Sequence, residues 1–129
     1  MYQKETFISN KAPVPGGKIA QVSVCKELGI AYISGLISQK PDGEVIYGTS
    51  VAQQTELLLT NLKGLLADMG LTMDSIIKSN VFISDMKYFD EMNAVYCKFF
   101  DIPNPPARQC VTAGIWGGLD VEISFVALL

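Results

Sequence analysis

The residues best suited to chemistry lie in the segment 103–111, which reads Pro-Asn-Pro-Pro-Ala-Arg-Gln-Cys-Val. Its arginine, Arg108, follows a rigid proline-rich turn and begins an apolar run that is typical of a β-strand. A guanidinium stays charged, and its planar fork can donate two parallel hydrogen bonds to a carboxylate or a phosphate. Because a strand would hold that fork in place, the sequence indicates an anion-binding arginine. The alternative is a structural ion pair at a subunit interface.

A lone carboxylate in the apolar C-terminal strand is the second candidate. Alternation places Glu122 and Ser124 on one face of the strand and Val121 and Phe125 on the other. A carboxylate on such a strand costs free energy unless it is paired or used. The strands of Arg108 and Glu122 are consecutive and expected to be antiparallel, so the two side chains could lie close together. Glu122 would then serve a reaction or only neutralise Arg108.

Four further residues carry weaker signals. Ser34 and Gly35 follow an apolar strand, where glycine permits close backbone approach and serine offers a hydroxyl, although such pairs are common in ordinary turns. Cys110 has Val111 beside it and no histidine to activate it, so a small buried apolar residue is favoured over a thiol nucleophile. Asn93 lies in an aromatic-rich helix and could cap or pack.

The inventory of residue types excludes several mechanisms. The chain contains no histidine, which removes Ser-His-Asp and Cys-His nucleophile pairs and the imidazole ligands of most catalytic zinc sites. Its three cysteines are widely spaced and form no C-x-x-C pair, which suits a reducing compartment. Any reaction must therefore use carboxylates, arginine, hydroxyls, backbone groups and water, and we expect neither a metal nor a cofactor.

The elements that must position these residues follow from periodicity and turn signals. The predicted strands are a short one at 5–9 and then 19–24, 29–34, 76–83, 108–113 and 121–128. The predicted helices run from an N-cap at Thr49 or Ser50 to a C-terminal Gly70, and from Met86 to Phe100. The principal order β-β-α-β-α-β-β predicts an α+β fold, a two-layer mixed sheet with both helices on one face.

Composition places the chain in a broad class. Its 129 residues fit one domain, 1–129, and 49% of them are hydrophobic, with a mean hydropathy of +0.27. Surplus apolar surface and an uncovered sheet face predict a partner subunit. The net charge of −3 and the lack of a basic cluster argue against nucleic acid as a partner. With no apolar run of membrane-spanning length and no secretory leader pattern, the sequence predicts a cytoplasmic protein without a membrane partner.

The Pro-Ala-Arg-Gln-Cys-Val run closely resembles the signature of the Rid (RidA/YjgF/UK114) family of imine and enamine deaminases. Matching segments occur in the same order from about Ala12 to Ala127. They are Ala12-Pro13, Tyr32-Ile33-Ser34-Gly35, Val51-Ala52-Gln53-Gln54, Asn61-Leu62-Lys63, the run 76–85, Met92-Asn93-Ala94-Val95-Tyr96 and Val121-Glu122-Ile123.

The resemblance implies a chorismate-mutase-like fold, assembled as a homotrimer with active sites between subunits. It implies hydrolysis of 2-imino acids such as 2-iminobutanoate and 2-iminopropanoate to 2-oxo acids and ammonia. By the same resemblance, Arg108 would hold the substrate carboxylate and Glu122 would position the attacking water. The backbone at Gly35 and Cys110 would contact the imine end, and Ser34 and Asn93 would line the site.

The sequence departs from the family pattern at several places. Many active members carry Gly-Pro-Tyr where this chain has Gly17-Lys18-Ile19, so the tyrosine hydroxyl is absent. Leu36 replaces a common glutamine, Gln109 replaces a serine or threonine, and Trp116 lies in a divergent loop. The leading hypothesis is therefore an imine deaminase. The alternative is a non-catalytic carboxylate-binding or interaction module, and endoribonuclease or translation-inhibitor activity is disfavoured.

Overall fold

The computed structural model describes residues 1–129, which form one six-stranded sheet and two α-helices. The strands are β1 (Glu5–Phe7), β2 (Val22–Cys25), β3 (Ile30–Leu36), β4 (Ile76–Ile83), β5 (Ala107–Thr112) and β6 (Val121–Leu128), and the helices are α1 (Val51–Asp68) and α2 (Phe89–Phe99). The predicted α+β class is confirmed. The short first strand predicted at 5–9 is present as β1 (Glu5–Phe7), and β2 and α2 each begin three residues later than predicted.

The sheet has the strand order β1-β2-β3-β6-β4-β5. All neighbours are antiparallel except β4 and β5, which are parallel. Parallel neighbours need a crossover connection, and α2 supplies it between these two strands. The sheet is therefore mixed, as predicted, and β5 lies at its edge.

Local signals at the two ends of α1 act as the sequence predicts. Ser50 accepts a hydrogen bond from the Gln53 backbone, and the Gln53 side chain bonds back to the Ser50 N–H, which completes a capping box. At the other end Gly70 has a φ of 75°, and the Leu71 N–H bonds the Leu66 carbonyl at 2.8 Å. This Schellman ending requires a left-handed residue, which glycine adopts without strain.

Both helices cover the same face of the sheet and build one core. Leu58, Leu62 and Leu65 of α1 are fully buried. On β6, Ile123 is fully buried and Phe125 is almost fully buried. The opposite face, which we call the open face, carries no helix. It exposes 57% of Tyr32 and 47% of Leu128 to solvent. Apolar side chains thus remain exposed on the open face, and its coverage by a partner subunit stays a prediction.

Neither helix combines the length and the hydropathy needed to cross a lipid bilayer. The cytoplasmic location stays a prediction.

Candidate functional site

Arg108 is the only arginine of the chain and the second residue of β5. Its side chain is half-buried on the helix-covered face, where an Nη donates to the Asn93 Oδ1 at 2.6 Å. The guanidinium carbon lies 4.7 Å from the ring centroid of Tyr96 and 5.5 Å from that of Phe89. No ion pair of the protomer includes Arg108. The guanidinium is therefore fixed in position while its charge has no anionic partner.

The Tyr96 ring, which lies against the guanidinium, is itself held in place. The Tyr96 hydroxyl donates to the Ser79 Oγ at 2.9 Å, and the Tyr96 ring stacks on Phe100 with centroids 4.5 Å apart. Burial raises the pKa of Tyr96, against smaller opposing effects of Ser79 and Arg108. The phenol therefore stays neutral at physiological pH, and Arg108 is not paired with a tyrosinate.

Cys110 lies two residues beyond Arg108 on the same face of β5 and packs against the core. Burial raises the pKa of the Cys110 thiol, and the nearby charge of Arg108 offsets only part of that shift. A thiol that stays protonated is a poor nucleophile. The structure thus agrees with the interpretation of Cys110 as a small apolar residue.

Glu122 lies on the open face of β6, half-buried, and its carboxylate makes no hydrogen bond or ion pair within the protomer. It lines a cavity of about 140 Å³ together with Ser34, Gly35 and Trp116. Two of the residues that carried weaker signals therefore lie beside Glu122.

A β-bulge explains how the Ser34-Gly35 pair approaches Glu122. The register between β3 and β6 shifts between Ile33 and Leu36, which places one extra residue on β3. The Ser34 hydroxyl donates to the Ala20 carbonyl at 2.6 Å and anchors the bulge. A Cβ on Gly35 would lie only 2.7 Å from the Glu122 Oε2, so only glycine leaves room for the carboxylate.

The expectation that Arg108 and Glu122 could be close is wrong within one protomer. β4 lies between their strands: Ser79 pairs with both Arg108 and Phe125, and Phe82 pairs with Glu122. Two strand spacings and three residues of offset separate their Cα atoms by about 14 Å. Paired residues share a face, so the two side chains also project from opposite faces. Neutralisation of Arg108 by Glu122 therefore does not occur inside the protomer.

The candidate residues thus form two groups. Arg108, Asn93 and Cys110 lie where α2 meets β5, and Glu122, Ser34 and Gly35 lie around the open-face cavity. No cluster of three or more His, Cys, Asp or Glu side chains is placed to hold a metal ion.

Sequence reasoning missed the support that α2 gives to Arg108. Phe89, Asn93 and Tyr96 are spaced by four and three residues, so they share one face of α2 beneath the guanidinium. That spacing was visible in the sequence, but it also fits an ordinary core-facing stripe. Only the position of β5 beside α2 shows that the stripe serves Arg108.

Comparisons with known proteins find similarity over nearly the whole chain. The family profile described as "Endoribonuclease L-PSP" matches residues 10–129. Protein MMF1, mitochondrial, of Saccharomyces cerevisiae is 38% identical over 125 residues, which cover 95% of this chain and 83% of that protein. Reactive Intermediate Deaminase A, chloroplastic, of Arabidopsis thaliana is 28% identical and covers 98% of this chain and 67% of its own length.

A solved structure shares the fold closely. The crystal structure of YyfA from Yersinia pestis, described as a protein of unknown function of the conserved Rid protein family, superposes with a TM-score of 0.91 at 29% identity. The match covers 98% of this chain and 100% of that one. The strand order and the two-helix layer described above are thus those of a known family fold.

Proposed function

The chain belongs to the Rid (YjgF/RidA) family, and from that premise we propose that it hydrolyses reactive 2-imino or enamine acids to 2-oxo acids and ammonia. The family membership confirms the resemblance read from the sequence. Substrates of the 2-iminobutanoate and 2-iminopropanoate type fit the proposal. Each carries a planar carboxylate next to a carbon–nitrogen double bond.

The observation that carries the proposal is the unpaired guanidinium of Arg108. It is held by Asn93 at 2.6 Å and by two aromatic rings, and no carboxylate of the protomer neutralises it. A preorganised guanidinium loses little conformational freedom when it binds, and its fork matches the carboxylate of a 2-imino acid. Arg108 is therefore proposed to bind that carboxylate, with Asn93 as the residue that orients it.

Glu122 is proposed to position the water that attacks the imine carbon. Its carboxylate has no partner in the protomer and can accept a hydrogen bond from water beside the Gly35 backbone. Addition of water to the carbon–nitrogen double bond gives a carbinolamine, and loss of ammonia leaves the 2-oxo acid. Both protons of that water end on the departing nitrogen, one when water adds and one when the carbinolamine collapses, so the reaction needs no co-reactant.

The two groups of residues are proposed to meet across a subunit interface. Within one protomer Arg108 and Glu122 project from opposite faces, so one ligand can touch both only when a second copy approaches the open face. The uncovered apolar side chains of that face favour such an approach. A cyclic homotrimer would form three equivalent sites, each with Arg108 of one subunit and Glu122 of another.

We therefore expect a homotrimer in solution. Burial of the open face removes Tyr32 and Leu128 from water and should make the assembly stable at micromolar concentration. Sedimentation equilibrium should give three times the protomer mass of 14.0 kDa. A monomer or a dimer at that concentration would exclude the trimer.

Turnover by the wild-type protein tests the proposed reaction. An amino-acid oxidase generates 2-iminopropanoate from alanine, and release of ammonia is followed with and without the protein. We expect release above the buffer rate that saturates with substrate. Binding of pyruvate without any acceleration would instead favour a carboxylate-binding module. The exposed Ile19, which lies where many family members have a tyrosine, is the observation that favours this second function.

A further inference from the structure

The cavity beside Glu122 has an apolar wall and few free polar groups. Pro15, Ile37 and Trp116 line it together with the carboxylate. A ligand held with its reacting carbon at Glu122 would therefore place part of its remaining structure against apolar atoms. Contact of this kind stabilises an apolar group by removing its surface from water.

Three uncharged polar side chains that line the same cavity, those of Gln21, Ser34 and Gln39, already donate hydrogen bonds to backbone carbonyls. The Gln21 amide donates to the Ser9, Ala12 and Pro13 carbonyls, at 3.0, 3.2 and 3.1 Å respectively. The Ser34 hydroxyl donates to a backbone carbonyl, and the Gln39 amide donates to the Gly43 carbonyl at 2.9 Å.

The charge of the residues that line the cavity also disfavours an acidic ligand. Glu122 is the only charged residue among those that line the cavity. Within the protomer an anionic substituent would therefore meet a negative charge, and the side chains of Gln39 and Trp116 that keep an unused N–H are uncharged.

Trp116 is the part of this wall that a ligand can cover. Its side chain is 62% exposed, and it begins a short 3-10 turn that ends at Gly118, three residues before β6. Gly117 in that turn has a φ of 68°, and a Cβ there would lie 3.2 Å from the Tyr47 hydroxyl. The turn that carries Trp116 therefore depends on glycine and lies against Tyr47.

We propose that Trp116 makes this cavity selective for ligands with a branched or larger apolar side chain, and against those with an acidic one. The inference deepens the proposed function and rests on it for the reaction, but the binding preference can be measured without turnover. The ligand class is 2-imino or 2-oxo acids whose side chain matches that of leucine. Alanine-derived ligands have only a methyl group to place against the indole.

Binding is measured first, with stable 2-oxo acids as probes. Trp116 is the only tryptophan of the chain, so its fluorescence reports directly on occupancy of this wall. We expect 4-methyl-2-oxopentanoate to change the emission and to bind about tenfold more tightly than pyruvate, the scale of burying one or two methylene groups. Oxaloacetate should bind more weakly than pyruvate. Equal affinities for the three acids would overturn the proposal.

Variants of Trp116 then test whether the indole causes the preference for the larger 2-oxo acid. By calorimetry, Trp116→Ala should bind 4-methyl-2-oxopentanoate and pyruvate within about twofold of each other, whereas Trp116→Phe should keep most of the preference. Tyr2→Ala, which removes an exposed aromatic ring elsewhere, should behave as wild type. A preference that persists in Trp116→Ala overturns the role of Trp116.

Rates of hydrolysis distinguish the side-chain preference from the proposed reaction. Hydrolysis of the leucine-derived imine should lose about tenfold in kcat/KM in Trp116→Ala, while the alanine-derived imine changes by no more than about twofold. An equal loss on both imines would overturn the selectivity. If wild type binds 4-methyl-2-oxopentanoate preferentially but accelerates no imine, the binding preference stands and the proposed reaction fails.

Discussion

Replacement of Arg108 by lysine should leave the protein folded and remove most of its imine hydrolysis. Lysine keeps a positive charge near Tyr96 and Phe89, but an ammonium cannot make the planar two-bond contact to a carboxylate. We expect a loss of about 3 kcal/mol in transition-state stabilisation, roughly a hundred-fold in kcat/KM. Steady-state ammonia release and sedimentation on the same preparation measure both properties.

A conservative exchange elsewhere serves as the control. Lys87 is exposed, and its ammonium lies 5.2 Å from the Tyr88 ring centroid, so Lys87→Arg makes the reverse change over an aromatic ring. That variant should keep wild-type activity. Near-wild-type turnover in Arg108→Lys would show that Arg108 does not bind the substrate carboxylate. Dissociation or unfolding of Arg108→Lys would instead favour a structural ion pair between subunits.

Replacement of Glu122 by glutamine should spare binding and slow turnover. The amide has the size of the carboxylate but cannot accept a proton from water, and positioned acid–base groups contribute roughly a hundred- to ten-thousand-fold. Calorimetry with a 2-oxo acid measures binding, and ammonia release measures the rate. Unchanged rate and affinity in Glu122→Gln would contradict the proposed role.

The bulge at Gly35 allows the position of the carboxylate to be tested apart from its charge. In Gly35→Ala the new methyl group would lie 2.7 Å from the Glu122 Oε2, so the carboxylate must move while its chemistry is unchanged. We expect Gly35→Ala to slow hydrolysis without a loss of the assembly. If Glu122→Gln is slow and Gly35→Ala is fully active, the charge of Glu122 matters but its position against the bulge does not.

Most of the helices and strands could be predicted from the sequence because the signals that mark them are local. Alternation along β6 correctly separated Glu122 and Ser124 from the buried residues of that strand, because successive side chains of a strand project to opposite faces. Ser50 and Gly70 correctly marked the ends of α1, since capping depends on residues a few positions apart. The start of α2 was less well predicted, because the turn Met86–Tyr88 precedes the helix.

Only the tertiary structure decided which residues come together. The position of β4 between β6 and β5 separates Glu122 from Arg108, and the crossover through α2 places Arg108 at the sheet edge. No periodicity of the sequence encodes that order, because strand pairing depends on contacts between residues far apart in the chain. The register shift that opens Gly35 toward Glu122 is likewise a property of two distant strands. The sequence by itself thus determined the candidate residues and their local setting, and long-range strand pairing decided that one protomer keeps Arg108 and Glu122 apart.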